Sequence, residues 1–153
     1  MAEIAYLCDH PEYAGAVSRW LYDAFVRRDD DDFAYETFHT YFQHNSKTEM
    51  PIRLIALADE KCVGTVTLID NDFPGKTDTP WLGGLYVDTP YRNKGIGRNL
   101  INFVKRIAEN FGYAELFLST QNAGRYYQKL GWKRVETCVD ASGRMAEIYR
   151  FEL

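Results

Sequence analysis

Between Tyr86 and Arg98 the chain reads Tyr-Val-Asp-Thr-Pro-Tyr-Arg-Asn-Lys-Gly-Ile-Gly-Arg. An apolar stretch, Trp81 to Val87, leads into it, and helix-periodic residues follow it, so the spelling is strand, turn, helix. Gly95 and Gly97 remove side chains where backbone must approach a ligand, and the first N–H groups of a helix have no internal acceptor. Aligned peptide dipoles place roughly half a positive charge at that end, which suits an anion such as a phosphate. Arg92, Lys94 and Arg98 add formal positive charge around the same turn.

Two other phosphate-binding spellings are excluded. A P-loop needs Gly-Lys-Ser/Thr, and here Gly97 is followed by Arg98-Asn99. A dinucleotide fingerprint would need its third glycine where Leu100 stands, and an acidic residue closing the following strand at ribose-binding spacing, where this chain has none. Arg92, Gly95 and Gly97 instead fill the pattern Arg/Gln-x-x-Gly-x-Gly/Ala. Downstream, Ala114 to Thr120 has the look of a strand, and Tyr126-Tyr127-Gln128-Lys129-Leu130-Gly131-Trp132 fits Tyr-x-x-x-Gly-Phe/Trp. On these residues the chain resembles the GCN5-related N-acetyltransferase (GNAT) superfamily. The likeness is ordered from Trp81 to Trp132, whereas the first half agrees only in its pattern of elements.

The resemblance implies an α/β fold with a mixed, mostly antiparallel sheet of about six or seven strands flanked by about four helices. It implies acetyl-coenzyme A as co-substrate and no metal. Backbone of Leu85, Tyr86 and Val87 would pair with the pantetheine arm as an added strand does. Arg92 and the amides of Asn93, Lys94, Gly95, Ile96, Gly97 and Arg98 would hold the pyrophosphate. The fourth and fifth strands of such proteins splay apart to admit the coenzyme. One departure is visible: the Asn that many relatives carry seven residues before the helix-four Tyr falls here on Thr120, with Asn122 displaced.

Acyl transfer from a thioester to an amine requires a neutral amine, stabilisation of the developing oxyanion and a proton for the leaving thiolate. By the family pattern Tyr127 is the candidate acid, while Tyr126 points elsewhere on the helix and reads as structural. A main-chain N–H near Tyr86 or Val87 is the candidate oxyanion donor. For the base, Asp70 and Asp72 end the strand leading to the acceptor side; the plainer alternative makes them solvated loop carboxylates. With Asp78 and Trp81 the same loop offers negative charge and an aromatic face to a cationic amine. The expected reaction is transfer of an acetyl group to a primary amine of a small molecule by direct attack. A protein or peptide amine as acceptor, and a non-catalytic acyl-coenzyme A sensor, are the alternatives.

These residues must be carried by a scaffold, and 153 residues suffice for one domain, 1–153, that buries roughly 70% of its unfolded surface. Ile4 to Leu7 reads as a strand, and Asp9-His10-Pro11-Glu12 as the capped start of a helix with Val17, Leu21, Ala24 and Phe25 on one face and Trp20 at its margin. The acidic run Asp29 to Asp32 precedes a second helix, Phe33 to Phe42. Ile52 to Ala58 and Val63 to Ile69 form a hairpin about Asp59-Glu60-Lys61. The long helix from Ile96 is closed by Gly112, Ala123 to Leu130 forms a short one, and Trp132 to Val139 pairs with Met145 to Phe151 around Ala141-Ser142-Gly143.

Composition narrows the partners. No run approaches the ~20 apolar residues of a membrane span, and the first residues lack the features of a secretory signal, so a cytoplasmic protein that avoids membranes is expected. A net charge of −4 disfavours nucleic acid. Cys8, Cys62 and Cys138 read as buried or half-buried thiols, and His10, His39 and His44 have no metal-ligand spacing. The expected state is a monomer or homodimer.

Overall fold

The computed structural model describes residues 2–26, 34–140 and 143–153. Its strands are β1 (Glu3–Tyr6), β2 (Ile52–Ala58), β3 (Lys61–Ile69), β4 (Trp81–Val87), β5 (Glu115–Thr120), β6 (Lys133–Val139) and β7 (Met145–Glu152). The helices are α1 (Ala14–Leu21), α2 (Tyr35–Thr40), α3 (Ile96–Asn110) and α4 (Gly124–Lys129). The strands are hydrogen-bonded in the order β1-β2-β3-β4-β5-β7-β6. β1 with β2, β5 with β7 and β6 with β7 are antiparallel, and β4 with β5 is parallel. The expected mixed, mostly antiparallel α/β class is therefore the observed one. Among the described residues no helix is long and apolar enough to cross a membrane.

The chain divides into two compact units. The first comprises Met1–Thr67 and Gly84–Phe103, the second Leu68–Gly83 and Val104–Leu153.

In the first unit β1 lies along β2 from Glu3 opposite Leu57 to Tyr6 opposite Leu54. Leu7, Val17, Leu21, Phe42, Ile55 and Cys62 form its core, so the four-residue spacing of Val17 and Leu21 is what seats α1. The β2–β3 hairpin turns on Asp59 and Glu60, with φ of 52° and 62°, the left-handed pair that a two-residue turn requires to match strand twist. Two expectations need correction. Asp9 caps no helix: Leu7–Asp9 and Pro11–Tyr13 are separate tight turns, α1 starts at Ala14, and the Asp9 carboxylate instead pairs with Lys47 at 2.7 Å. Phe25 is 58% exposed because the helix widens into a π-type turn over Tyr22–Val26, which shifts the phase and buries Tyr22 in its place. Asp29 to Asp32 and Phe33 lie outside the described residues, and the second helix is observed over Tyr35–Thr40.

α1 and α2 are tied through the buried Ser18. Its hydroxyl donates to the Gly15 carbonyl at 3.1 Å and lies 2.9 Å from Tyr35 Oη and 2.8 Å from His39 Nδ1. His39 thus has a specific partner in the buried Ser18.

In the second unit Val104, Ile107 and Ala108 bury the later face of α3. Gly112, at φ 90°, ends that helix as expected: its N–H donates to Glu109 O at 2.9 Å and the next, Tyr113, to Ala108 O at 3.1 Å. Leu116, Phe117 and Leu118 of β5 are buried in succession, the mark of a strand covered on both faces. Phe73, Trp81, Phe117, Ala146 and Ile148 make a core cluster. At the sheet's end β6 is largely exposed and carries Lys133, Arg134 and Glu136, charges that discourage further strand pairing. Of the predicted closing turn, Ala141 and Ser142 lie outside the described residues, and Gly143 has φ 83°.

Candidate functional site

In the first unit β4 passes through a short turn into α3. Asp88 Oδ1 accepts from Thr89 N at 3.0 Å, and Tyr91 N donates to Asp88 O at 2.8 Å, which fixes the exit from the strand. Asn93 and Gly95 then take φ of 62° and 83°. Nothing lies within 4 Å of a Cβ built on Gly95, so glycine is needed there for its backbone angle and not for space. The first bond of the helix runs from Asn99 N to Gly95 O at 3.0 Å. Ile96, Gly97 and Arg98 therefore present N–H groups with no acceptor inside the helix, at its positive end. No acidic residue stands in the first turn, and Arg92, Lys94 and Arg98 are exposed around it.

Arg92 also has a local task. Its Nε donates to Val87 O at 2.7 Å, and its guanidinium carbon lies 5.2 Å from the centre of the Tyr86 ring. The same ring is also engaged by Trp20, stacked at 5.4 Å with an interplanar angle of 28°. Asp88 N donates to Val63 O at 2.8 Å, and Tyr86 O stands 3.1 Å from a Cβ position at Gly64, so these residues turn their peptide groups toward β3. Strand alternation turns those of Leu85 and Val87 to the opposite edge. Leu85, Tyr86 and Val87 are all half-buried.

The profile of the acetyltransferase (GNAT) family matches residues 14–132, a span that contains this turn and the segment around Tyr127. The chain belongs to that family. Two curated human relatives are similar to it, N-acetyltransferase 8B at 36% identity and N-acetyltransferase 8 at 33%, each over 85 residues. The shared stretch is 52% of this chain and only 37% of either relative, so the chain spans well under half the length of the curated proteins it matches. Among solved structures, an aminoglycoside 6'-N-acetyltransferase complexed with coenzyme A superposes with a TM-score of 0.75 at 16% identity, over 98% of this chain and 96% of that one. A GNAT-family acetyltransferase from Desulfovibrio desulfuricans gives 0.76 at 20% identity over 99% of both chains. YncA from Salmonella typhimurium, solved with acetyl-coenzyme A, gives 0.72 at 16% over 100% of this chain and 94% of that one. At such identities these likenesses speak for the GNAT fold.

The second unit of this GNAT chain carries the other predicted groups. The ladder of β4 and β5 has the register pair Trp81 with Phe117, next to which Phe117 N donates to Pro80 O at 3.1 Å. Tyr127 is buried on α4, and desolvation raises its phenol well above the ordinary range, so it stays protonated and able to donate. Thr120, at the place of the expected Asn, accepts from Ala123 N at 3.0 Å and shapes the entry to α4.

Asp70 and Asp72 fare differently. Both are solvent-exposed by area. The Asp72 carboxylate, however, lies over Gly83, with Oδ2 2.9 Å from where a Cβ would stand. Open to water on one side and crowded by protein on the others, it loses enough solvation to push its pKa up to about 6. The loop that presents it is held firmly: Asn71 accepts from Phe73 N at 2.9 Å and donates to Lys76 O at 2.7 Å, and Lys76 pairs with Glu136.

Trp81 must be reassigned. Its ring is wholly buried against Phe117 at 5.7 Å, and its indole N–H donates to Asp78 O at 2.7 Å, so it is a core residue and offers no face to an amine. The spelling also left three features unread: the Trp20 stack on Tyr86, the need for glycine under Asp72, and the packing beneath α4. Only Gly83-Gly84 inside an apolar strand signalled anything, since paired glycines there mark a bulge or a close approach. Gly84 has φ 58° and Leu21 Cδ1 at 3.3 Å from its Cβ position. Among the described residues no cluster of His, Cys, Asp or Glu is placed to share a metal ion.

Proposed function

We propose that this chain is an acetyl-coenzyme A dependent N-acetyltransferase acting on a primary amine of a small molecule, with residues 1–153 serving as one catalytic domain. One observation carries the reading. The start of α3 has unpaired N–H groups and no acidic residue in its first turn, with Arg92, Lys94 and Arg98 around it and the half-buried end of β4 leading in. That is a seat for a diphosphate with an extended arm lying along a strand edge.

In this reading the amides from Asn93 to Arg98 bind the pyrophosphate, and the Leu85 peptide group, on the edge of β4 away from β3, pairs with the pantetheine arm. Arg92 holds Val87 and the turn together through its bond to the Val87 carbonyl. Acetyl-coenzyme A supplies the activated acyl group. The neutral amine attacks the thioester carbonyl carbon; the Val87 N–H, on the edge away from β3, stabilises the oxyanion. The C–S bond then breaks as the Tyr127 hydroxyl gives its proton to the departing thiolate. Asp72 takes the proton that the ammonium loses before attack, directly or through water; the second nitrogen proton, released as the amide forms, goes to solvent, from which Tyr127 regains its own. The acidic residues Asp70, Asp72 and Asp78 favour a cationic acceptor. The protein works in the cytoplasm as a monomer or homodimer.

The test is calorimetry with coenzyme A, followed by thiol release from acetyl-coenzyme A across panels of small amines and peptides. Micromolar binding and turnover on small amines are expected. No affinity for coenzyme A sinks the whole reading; turnover on peptides alone moves the acceptor to protein; binding without turnover on any amine leaves an acyl-coenzyme A sensor.

A further inference from the structure

The face of α4 opposite its solvent side is seated on β7 with little room. A Cβ on Gly124, the first residue of α4, would overlap Tyr149 Oη and Glu147 Oε1 and stand 3.2 Å from Tyr149 Cζ. The Tyr149 ring is 1% exposed, so it cannot swing away. Its hydroxyl donates to Glu147 Oε1 at 3.1 Å and accepts from Gln128 Nε2 at 3.4 Å, while Arg134 Nη1 of β6 holds the second oxygen, Glu147 Oε2, at 2.9 Å. Gly124 and Gln128 are four residues apart and so share one helix face, and Tyr127 lies between them. The Tyr127 main chain is fixed from the other end as well: its carbonyl accepts from Leu130 N at 3.0 Å and Trp132 N at 3.1 Å.

From this geometry we infer that Tyr149 and Glu147, with Gln128 and Arg134, are positioning residues for Tyr127. They set the depth and rotation of α4 and thereby the place of the Tyr127 hydroxyl. The constraint on α4 is steric and electrostatic together. A buried hydroxyl with both a donor and an acceptor partner has one favoured orientation, and the carboxylate that receives its proton is held on its other oxygen by a guanidinium. A glycine pressed onto that pair converts its position into the position of the helix. Displacing a reacting group by ~1 Å costs as much as a hundredfold in rate, so a small shift of α4 is enough to matter. The inference rests on the reading of Tyr127 as the acid.

Tyr149→Phe removes both hydroxyl bonds without changing the ring, and Glu147→Gln and Gln128→Ala loosen the same set from its more exposed side. Each is expected to lower kcat about tenfold with KM for acetyl-coenzyme A unchanged within about twofold, and to add nothing further in a Tyr127→Phe background. 3-Fluorotyrosine placed at position 127 should show a displaced or broadened 19F resonance in the substrate-free variants. A network that served stability alone would lower Tm and leave that resonance and the kcat of the folded protein unmoved, which would overturn the proposal. An additive loss on top of Tyr127→Phe overturns it too. If Tyr149→Phe does not fold, the Glu147→Gln and Gln128→Ala pair decides. Full turnover by Tyr127→Phe itself marks a different failure, that of the acid assignment, and removes the positioning role with it.

Discussion

Two side chains have protonation equilibria set by their surroundings, and the proposed reaction asks opposite things of them. Burial raises the Tyr127 phenol, which keeps it a proton donor at any physiological pH, so Tyr127→Phe should cost at least tenfold in kcat with little change in KM for acetyl-coenzyme A. Asp72 is raised from 3.8 to about 6, and a base must be unprotonated to act. Turnover should therefore rise with pH through an inflection near 6, and Asp72→Asn should lack that limb; a profile unaltered in the variant excludes Asp72 as base. The same shift has a stability consequence of definite sign. A carboxyl whose folded-state pKa exceeds its unfolded value favours the fold below about 4, and that contribution is lost as pH rises through about 6. Thermal melts of Asp72→Asn should accordingly show a gain over the native protein at pH 7 that disappears by pH 4.

Two glycines in the β4–α3 element make distinct demands. At Gly95 the constraint is the left-handed backbone alone, so Gly95→Ala should lose ~1–2 kcal/mol of stability and weaken coenzyme A binding, as melts and calorimetry would register. At Gly83 the constraint is the Asp72 carboxylate, 2.9 Å from any added Cβ. Gly83→Ala should push that carboxylate outward into water, returning the acidic limb of the pH profile toward the ordinary carboxylate range while leaving coenzyme A affinity intact. Should affinity fall and the pH limb stay, the contact has been misassigned. Arg92 belongs to this scale as well, because a side chain read as a phosphate ligand also fastens the end of its strand through Val87.

For the molecule as a whole, ligand and charge act through mass action. At a coenzyme A concentration of ~100 Kd the native state gains ~2.7 kcal/mol, and for a chain of this size that amounts to roughly 5–10 °C in Tm. The net charge is −4, yet the start of α3 is cationic and free of acidic residues in its first turn. Affinity for coenzyme A should thus drop severalfold between ~50 mM and ~500 mM salt, as screening shortens the reach of exposed charges. Salt-independent binding would contradict a pyrophosphate held at that turn.

Sequence alone determined what depends on neighbours along the chain. The strand-turn-helix around Arg92 to Gly97 was legible because it is built of consecutive peptide groups and of Gly95, whose left-handed backbone angle favours glycine. The periodicity of α3, its stop at Gly112, the hairpin at Asp59 and the α/β class followed for the same reason. Tertiary structure alone decided what depends on residues far apart in the chain. Trp81 went to the core and away from any acceptor because Phe117 and the Asp78 carbonyl claim its ring and N–H. Asp72 gained its raised pKa because that property is set by the atoms crowding a carboxylate, here those about Gly83, eleven residues later in the chain. The seat of α4 on Tyr149 and Glu147 had no spelling at all, since contact across a sheet and a helix is written in no spacing that a linear pattern can hold.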